Sequence, residues 1–337
     1  IAMERVFEAI NGVFSFIGPL SDFLWDFPTN FDWYSSIPIL GNISFAIILL
    51  LGSGIFFSFR IGFMQVTYFK KGIRTMTEKR VVETGISPLA SFFLSSAMRV
   101  GPGNILGVTG AIAVGGPGAL FWMWISASLG MCTKFSEVTL AVHFRETNAN
   151  GDLVGGPMYY IKNGLGKNAY ILAIAYSVLG ILTVFGTGNA TQVNTITTAI
   201  DSALFNYNLA DKSNTFTINL VIGIIIAILV GLILIGGIKR IGSVTEKLVP
   251  FMAAMYIIMA IILVIINIKS VPGVFASIFE GAFNPKSVTG GIVGSLFLSM
   301  RKGVSRGIFS NEAGLGSAPI AAAAAQTKEP VRQGLVS

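Results

Sequence analysis

The residue types that form disulfides and most structural metal sites are almost missing from this chain. Cys132 is the single cysteine and His143 the single histidine among 337 residues. An intramolecular disulfide needs two cysteines, so the sequence excludes one. A structural zinc site takes about four Cys or His ligands, so the sequence gives no support to such a site. We therefore expect no bound metal centre and no organic cofactor.

Charged side chains are also scarce. They make up 12% of the chain, whereas soluble domains carry about 25%. Hydrophobic residues account for 53%, and the mean hydropathy is +0.73. The apolar residues lie in runs of membrane-spanning length rather than in short alternating stretches. This pattern predicts an all-α polytopic membrane protein, embedded in a lipid bilayer.

Seven apolar segments are long enough to cross a bilayer, which takes about 20 helical residues. They cover residues 37–59, 85–114, 117–142, 169–200, 215–236, 244–268 and 288–325. The second, fourth and seventh exceed one straight crossing and contain glycines, which predicts broken or extended helices. We treat residues 37–337 as the transmembrane domain. Residues 1–36 form an N-terminal segment whose apolar side chains recur at helical spacing, which predicts a helix in the membrane interface or packed on the protein.

The basic residues of the loops predict the orientation of these segments. Only Arg5 precedes the first span, whereas six basic residues follow it: Arg60, Lys70, Lys71, Arg74, Lys79 and Arg80. The positive-inside rule therefore places residues 60–84 in the cytoplasm. Alternation then puts Asp201 and Asp211 outside, and it puts six further basic residues inside: Arg145, Lys162, Lys167, Lys239, Arg240 and Lys247. The net charge of +7 is explained by topology, so we expect no nucleic-acid partner.

The second segment holds Gly101, Pro102 and Gly103 at membrane depth. Pro102 has no backbone N–H, and the glycines tolerate non-helical geometry, so the helix is expected to unwind here and restart near Asn104, whose side chain would cap it. In transporters such breaks bind ligands, because helix N-termini face anionic groups and freed carbonyls coordinate cations. A proline kink between closely packed helices explains the same residues, and spacing alone leaves both open.

Two further polar clusters lie in apolar surroundings. Asn189 and Gln192, in the fourth segment, form interhelical hydrogen bonds or reach a polar ligand. In the seventh segment Glu312 stands among small residues at 307–319, which predicts a second discontinuous helix whose carboxylate is available to a cation or to Arg306. We expect Glu137, near the inner end of the third segment, to be structural.

Residues 115–130 (GGPGALFWMWISASLG) resemble the signature segment of the alanine or glycine:cation symporters. The Gly-x-Gly-Asn break at 101–104, residues 155–160 and residues 310–319 follow that family's order. The resemblance implies a LeuT-type fold of two inverted five-helix repeats, with the first span additional and spans two to six forming the first repeat. Residues 288–325 would open the second repeat, so we expect the chain to be C-terminally truncated.

The resemblance also implies a site between the two broken helices. Its substrate-binding residues would be Gly101, Pro102, Gly103, Asn104, Gln192, Phe309, Ser310 and Asn311. Carbonyls near Val100 and Gly103 would hold the coupling cation. Many family members have threonine where this chain has Pro102, so a side-chain hydroxyl contact from that position is lost.

The expected function is uptake of alanine or glycine with Na⁺, or with H⁺, by alternating access in a prokaryotic inner membrane. A monomer is compatible with this mechanism. A related symporter for another solute, such as glutamine, is the first alternative. A channel would show flux that does not saturate. A membrane enzyme would need a catalytic constellation, which one histidine does not provide.

Overall fold

The computed structural model describes Gly12 and residues 15–337, apart from gaps at 39, 77–87, 98–100, 185–188, 284–291, 326 and 328. Residues 1–11, 13 and 14 of the predicted N-terminal segment and Val100, a predicted cation ligand, therefore lie outside the described residues. The described chain is mostly helical.

The helices of the first half are α1 (Ile17–Asp26), α2 (Asp32–Ser35), α3 (Phe45–Arg60), α4 (Met64–Thr67), α5 (Phe69–Met76), α6 (Pro88–Ala97), α7 (Pro102–Gly115), α8 (Gly118–His143), α9 (Pro157–Leu165) and α10 (Tyr170–Thr183). Those of the second half are α11 (Thr191–Asn206), α12 (Thr215–Leu234), α13 (Gly237–Ile266), α14 (Val271–Phe283), α15 (Ile292–Asn311), α16 (Ser317–Ala323) and α17 (Pro330–Val336). Short 3₁₀ turns lie at Leu40–Asn42, Lys167–Ala169, Lys212–Asn214 and Ile268–Ser270.

One feature departs from the all-α prediction. Strands β1 (Glu146–Thr147) and β2 (Leu153–Val154) form an antiparallel hairpin directly after α8. Asn148 stabilises its turn, since its side-chain Oδ1 accepts from the backbone N–H groups of Asn150 and Asp152 at 3.0 and 2.8 Å. The polar, glycine-containing stretch between two apolar segments therefore folds as a compact turn rather than as an extended loop.

Helix α8 lies at the centre of the described bundle and contacts α15 along much of its length. The two helices approach closely because small residues face each other. A Cβ added at Gly307 would lie 3.0 Å from the Ser126 Cβ, and one at Gly303 would lie 2.7 Å from the Trp122 Cβ. Larger side chains at these two glycines would separate the helices.

The same close contacts give the helix directions. Gly303 lies beside Trp122, and Gly307, further along α15, lies beside Ser126, further along α8, so the two helices run parallel. Gly107 lies beside Arg306, whereas Gly115 lies beside Lys302, so α7 runs antiparallel to α15. A third helix joins them, because Ile47 of α3 packs against Val304 and Ile308.

Two described helices are long and apolar enough to cross a membrane, Thr215–Leu234 and the stretch 240–266 of α13. Their side chains are almost entirely unburied in the structure. Shorter apolar helices cover Phe45–Arg60, 104–115 and 167–183. The predicted fifth segment corresponds closely to α12, whereas the helix of the first segment begins only at Phe45 and that of the sixth begins at Gly237 instead of 244.

Candidate functional site

The predicted interruption of the second segment is confirmed at Gly101. Helix α6 ends at Ala97 and α7 begins at Pro102, while Gly101 is extended, with φ −134° and ψ 163°. Pro102 occupies the first helical turn, where its missing N–H costs no helical hydrogen bond. The predicted capping role of Asn104 is wrong, because Gly101 is the N-cap residue and no side chain caps the helix. Asn104 lies inside the first turn, and its N–H donates to the Gly101 carbonyl at 3.0 Å.

Gln192 lies directly against this break. A Cβ on Gly101 would meet the Gln192 Oε1 at 3.2 Å and its Nε2 at 3.4 Å. The absence of a side chain at Gly101 therefore lets the amide of Gln192 approach the extended backbone. Gln192 is in the first turn of α11. Asn189 lies in the π-helical turn directly before α11 and is exposed, while residues 185–188 lie outside the described residues.

The predicted discontinuity of the seventh segment is confirmed as well. Helix α15 ends at Asn311 and α16 begins at Ser317. Between them the backbone turns through the left-handed region, with φ values of 51° at Glu312, 87° at Gly314 and 79° at Gly316. Two of these positions are glycines, which adopt such angles without steric cost. Residues 312–316 are called the second break below.

Three predicted site residues immediately precede the second break. Phe309, Ser310 and Asn311 lie half-buried in the last turn of α15. The Asn311 side chain donates to the Gly307 carbonyl at 2.7 Å, a contact within its own helix. In this conformation its amide closes the helix end instead of reaching towards α7.

The two breaks lie at the same level of neighbouring helices. Gly107 and Arg306 are adjacent, and the helices that carry them are antiparallel. Gly101 comes six residues before Gly107, and Glu312 comes six residues after Arg306. Going back six residues along α7 and going forward six residues along α15 are therefore displacements in the same direction, each of about 9 Å. The antiparallel packing thus places two interrupted backbones at one depth.

Two ionisable residues of α8, which the sequence prediction missed as site residues, hold the second break. The Lys134 Nζ donates to the Glu312 carbonyl at 2.9 Å, and the Gly314 N–H donates to the Glu137 Oε2 at 3.2 Å. Lys134 is only 3% exposed. Glu137 was predicted to be structural, and the structure gives it a defined task at the second break.

A signal for these residues was present in the sequence. Lys134 and Glu137 are three positions apart, which places them on one helical face, and ionisable groups inside an apolar span are rare and functional. Their partners could not be read, since Glu312 and Gly314 lie 177 or more residues away. The Tyr176 hydroxyl completes the support by donating to the Leu315 carbonyl at 3.2 Å.

The chemistry of this arrangement suits a small dipolar ligand. The N-terminus of α7 offers a partial positive charge, Gln192 offers an uncharged amide, and the second break offers backbone carbonyls. Among the described residues there is no group of three or more His, Cys, Asp or Glu that could hold a metal ion.

Known proteins are similar to most of this chain. A family model described as the sodium:alanine symporter family matches residues 33–337. The sodium/alanine symporter AgcS of Methanococcus maripaludis is 41% identical over 298 residues, which are 87% of this chain and 63% of AgcS. The amino-acid carrier protein AlsT of Bacillus subtilis is 44% identical over 289 residues, 86% of this chain and 58% of AlsT.

Another relative carries a different name. The probable sodium/glutamine symporter GlnT of Bacillus subtilis is 42% identical over 292 residues, 86% of this chain and 58% of GlnT. The chain thus spans about three fifths of the length of these relatives.

Proposed function

Because the chain belongs to the sodium:alanine symporter family, we propose that its protein takes up a small neutral amino acid, alanine or glycine, together with Na⁺. The family consists of transporters and not of enzymes, so no chemical conversion of the substrate is involved. Uptake follows by alternating access in a multi-pass arrangement of the prokaryotic inner membrane.

The shared level of the two breaks is the observation that carries this proposal. The substrate carboxylate meets the N-terminus of α7 at Gly101, Pro102, Gly103 and Asn104, and Gln192 lines the same side. The substrate ammonium meets carbonyls and polar side chains at Ser310, Asn311 and the second break. Phe309 limits the room for a side chain, which favours alanine and glycine over larger amino acids.

The coupling ion is proposed to bind the same backbone. Carbonyls near Val100 and Gly103 supply hard oxygen ligands of the kind that alkali cations accept. Ion binding orders the break that also receives the substrate carboxylate, so each ligand raises the affinity for the other. Val100 lies outside the described residues, and Gly103 lies in the first turn of α7.

The helix directions support a LeuT-type fold. In the proposed inverted repeats, α7 belongs to the first helix of one repeat and α15 to the first helix of the other. Helices related by inversion across the membrane run antiparallel, and both of these are interrupted at the same depth.

Uptake by proteoliposomes containing the protein tests the function. Radiolabelled alanine is offered under an inward Na⁺ gradient, under an inward H⁺ gradient, or under neither. We expect saturable uptake with the Na⁺ gradient that glycine competes and glutamine does not. If glutamine competed and glycine did not, the substrate would be glutamine, as the name of GlnT states for that relative, and not alanine or glycine. Uptake driven only by H⁺ would refute sodium coupling.

Two substitutions test the site itself. Gln192→Ala and Asn104→Ala are expected to raise the KM for alanine about tenfold, since each removes one hydrogen bond to a polar ligand worth roughly 1.4 kcal/mol. Asn194→Ala is the control, because Asn194 lies on the same helix as Gln192 and its side chain is exposed. An unchanged KM in both variants would show that neither side chain contacts the substrate.

A further inference from the structure

A buried carboxyl group lies where α11 packs against α12, away from both breaks. Asp201 is 8% exposed, and its Oδ2 accepts a hydrogen bond from the Asn219 Nδ2 at 2.9 Å. The other oxygens of the same two side chains, the Asp201 Oδ1 and the Asn219 Oδ1, are both buried and have no hydrogen-bond partner among the described residues. Two acceptors that lack a donor thus occur in one hydrogen-bonded pair.

The helices around Asp201 provide no positive charge. Asp201 is the only ionisable residue of α11, and neither α12 nor α7, which also contacts α11, contains an Asp, Glu, Lys, Arg or His. In the connection to α12, Asp211 is exposed, and the side chain of Lys212 lies outside the described residues. A buried carboxylate without a paired charge is unfavourable, and a carboxylic acid in the same place is not.

We propose that Asp201 is a proton-binding site, in which one proton on Oδ1 is donated to the Asn219 Oδ1. The carboxylate takes this proton from water and becomes a neutral carboxylic acid, so the charge of the buried pair falls from −1 to zero. The acid then donates through Oδ1 and accepts through Oδ2, while the amide donates through Nδ2 and accepts through Oδ1. One proton therefore satisfies both orphaned oxygens.

The pair joins α11 to α12 near the ends that the connection links. Protonated, it adds two neutral hydrogen bonds between the helices. Ionised, it leaves a buried charge and one unsatisfied amide oxygen. The proposal rests on the side-chain contacts of Asp201 and Asn219 alone, so it stands or fails independently of the transport proposal.

Infrared spectroscopy of the purified protein at neutral pH tests the protonation state. The spectrum of wild type minus that of Asp201→Asn is expected to contain the C=O stretch of a protonated carboxylic acid, shifted in D₂O. Asp211→Asn is the matched control: it adds the same amide bands as Asp201→Asn, but its difference spectrum is expected to lack the C=O stretch of a protonated carboxylic acid. Carboxylate bands in the Asp201→Asn difference spectrum would overturn the proposal.

Melting temperatures of the detergent-solubilised protein give a second test. Asp201→Asn keeps a group that both accepts and donates, so it is expected to melt at the wild-type temperature at neutral pH. Asn219→Leu removes both hydrogen bonds and is expected to melt lower. The melting temperature is also compared in sodium and in choline. If sodium raised it in the wild type but not in Asp201→Asn, and choline raised it in neither, the two oxygens would bind a metal cation and the proton would be refuted.

Discussion

At the scale of single residues, Arg145 closes the C-terminal end of α16. Its Nη1 donates to the carbonyls of Ala323 and Ala325 at 3.0 and 2.7 Å, and its Nη2 donates to that of Thr327 at 2.6 Å. The last carbonyls of a helix lack partners within it, and a rigid guanidinium fork can bind several of them together. Burial lowers the pKa of Arg145 from its ordinary value, yet the group stays charged because that value is so high.

Replacing Arg145 is therefore expected to destabilise the fold. Arg145→Ala removes three charge-assisted hydrogen bonds and is expected to lower the free energy of unfolding by about 3 kcal/mol. Arg145→Lys keeps the charge but not the fork, so its effect should be intermediate. Lys162→Ala is the control, because Lys162 forms an exposed ion pair with Glu146 and its loss should change little. Denaturant unfolding in detergent, followed by circular dichroism, measures all three, and equal effects of Arg145→Ala and Lys162→Ala would contradict the prediction.

The carboxylate of Glu137 is the second residue whose removal has a defined consequence. It accepts from the backbone N–H of Gly314 in the second break, so Glu137→Ala frees that group and is expected to raise the KM for alanine at least tenfold. Glu137→Gln keeps one accepting oxygen and is expected to retain most of the affinity. Kinetic measurement of uptake distinguishes positioning from stability: a reduced amount of folded protein lowers the maximal rate without changing KM. An unchanged KM in Glu137→Ala would show that the second break holds its shape without α8.

At the scale of elements, the helix boundaries were predicted best where a turn signal and an apolar run occur together. The third segment, 117–142, nearly coincides with α8 because the turn at Gly116 and Pro117 marks its start and an unbroken apolar run follows. The interruption at 101–103 was predicted from glycine and proline, and that of the seventh segment from small residues around Glu312. Helix α14 was missed because its 13 residues are too short for a straight span. Helix α17 was not predicted at all, yet Gln333 and Gly334 are buried, and Gly334 packs on Phe135 and Thr139 of α8.

The close packing of α15 on α8 predicts that an alanine at Gly303 destabilises the protein. Gly303→Ala places a methyl group against Trp122 and the backbone of Ala119, so it is expected to lower the free energy of unfolding by about 1–3 kcal/mol. Gly110→Ala is the matched control: Gly110 is also inside a helix, but a Cβ there has nothing within 4 Å. It is expected to be neutral or to stabilise the protein by about 0.5–1 kcal/mol. Equal melting temperatures for the two variants would mean that the helices are further apart than described.

At the scale of the whole molecule, two independent kinds of observation give compatible directions. The basic loops predict that α3 and α8 run from outside to inside and that α7 runs the other way. The contacts agree in relative direction, since α8 is parallel to α15 and α7 is antiparallel to it. Side-chain packing contains no information about the cytoplasm, so the absolute orientation remains a prediction from charge alone.

Cysteine labelling of intact cells tests that orientation. Cys132 is fully buried and donates a hydrogen bond to the Gln65 side chain, so its reaction with the label is expected to be weak. Leu165 and Leu209 are matched sites, both leucines in connections, with 67% and 73% of their surface exposed. With a membrane-impermeant maleimide, Leu209→Cys is expected to react in intact cells, and Leu165→Cys only after permeabilisation. The opposite pattern would invert the topology, and reaction of both in intact cells would mean that 169–200 does not cross the membrane.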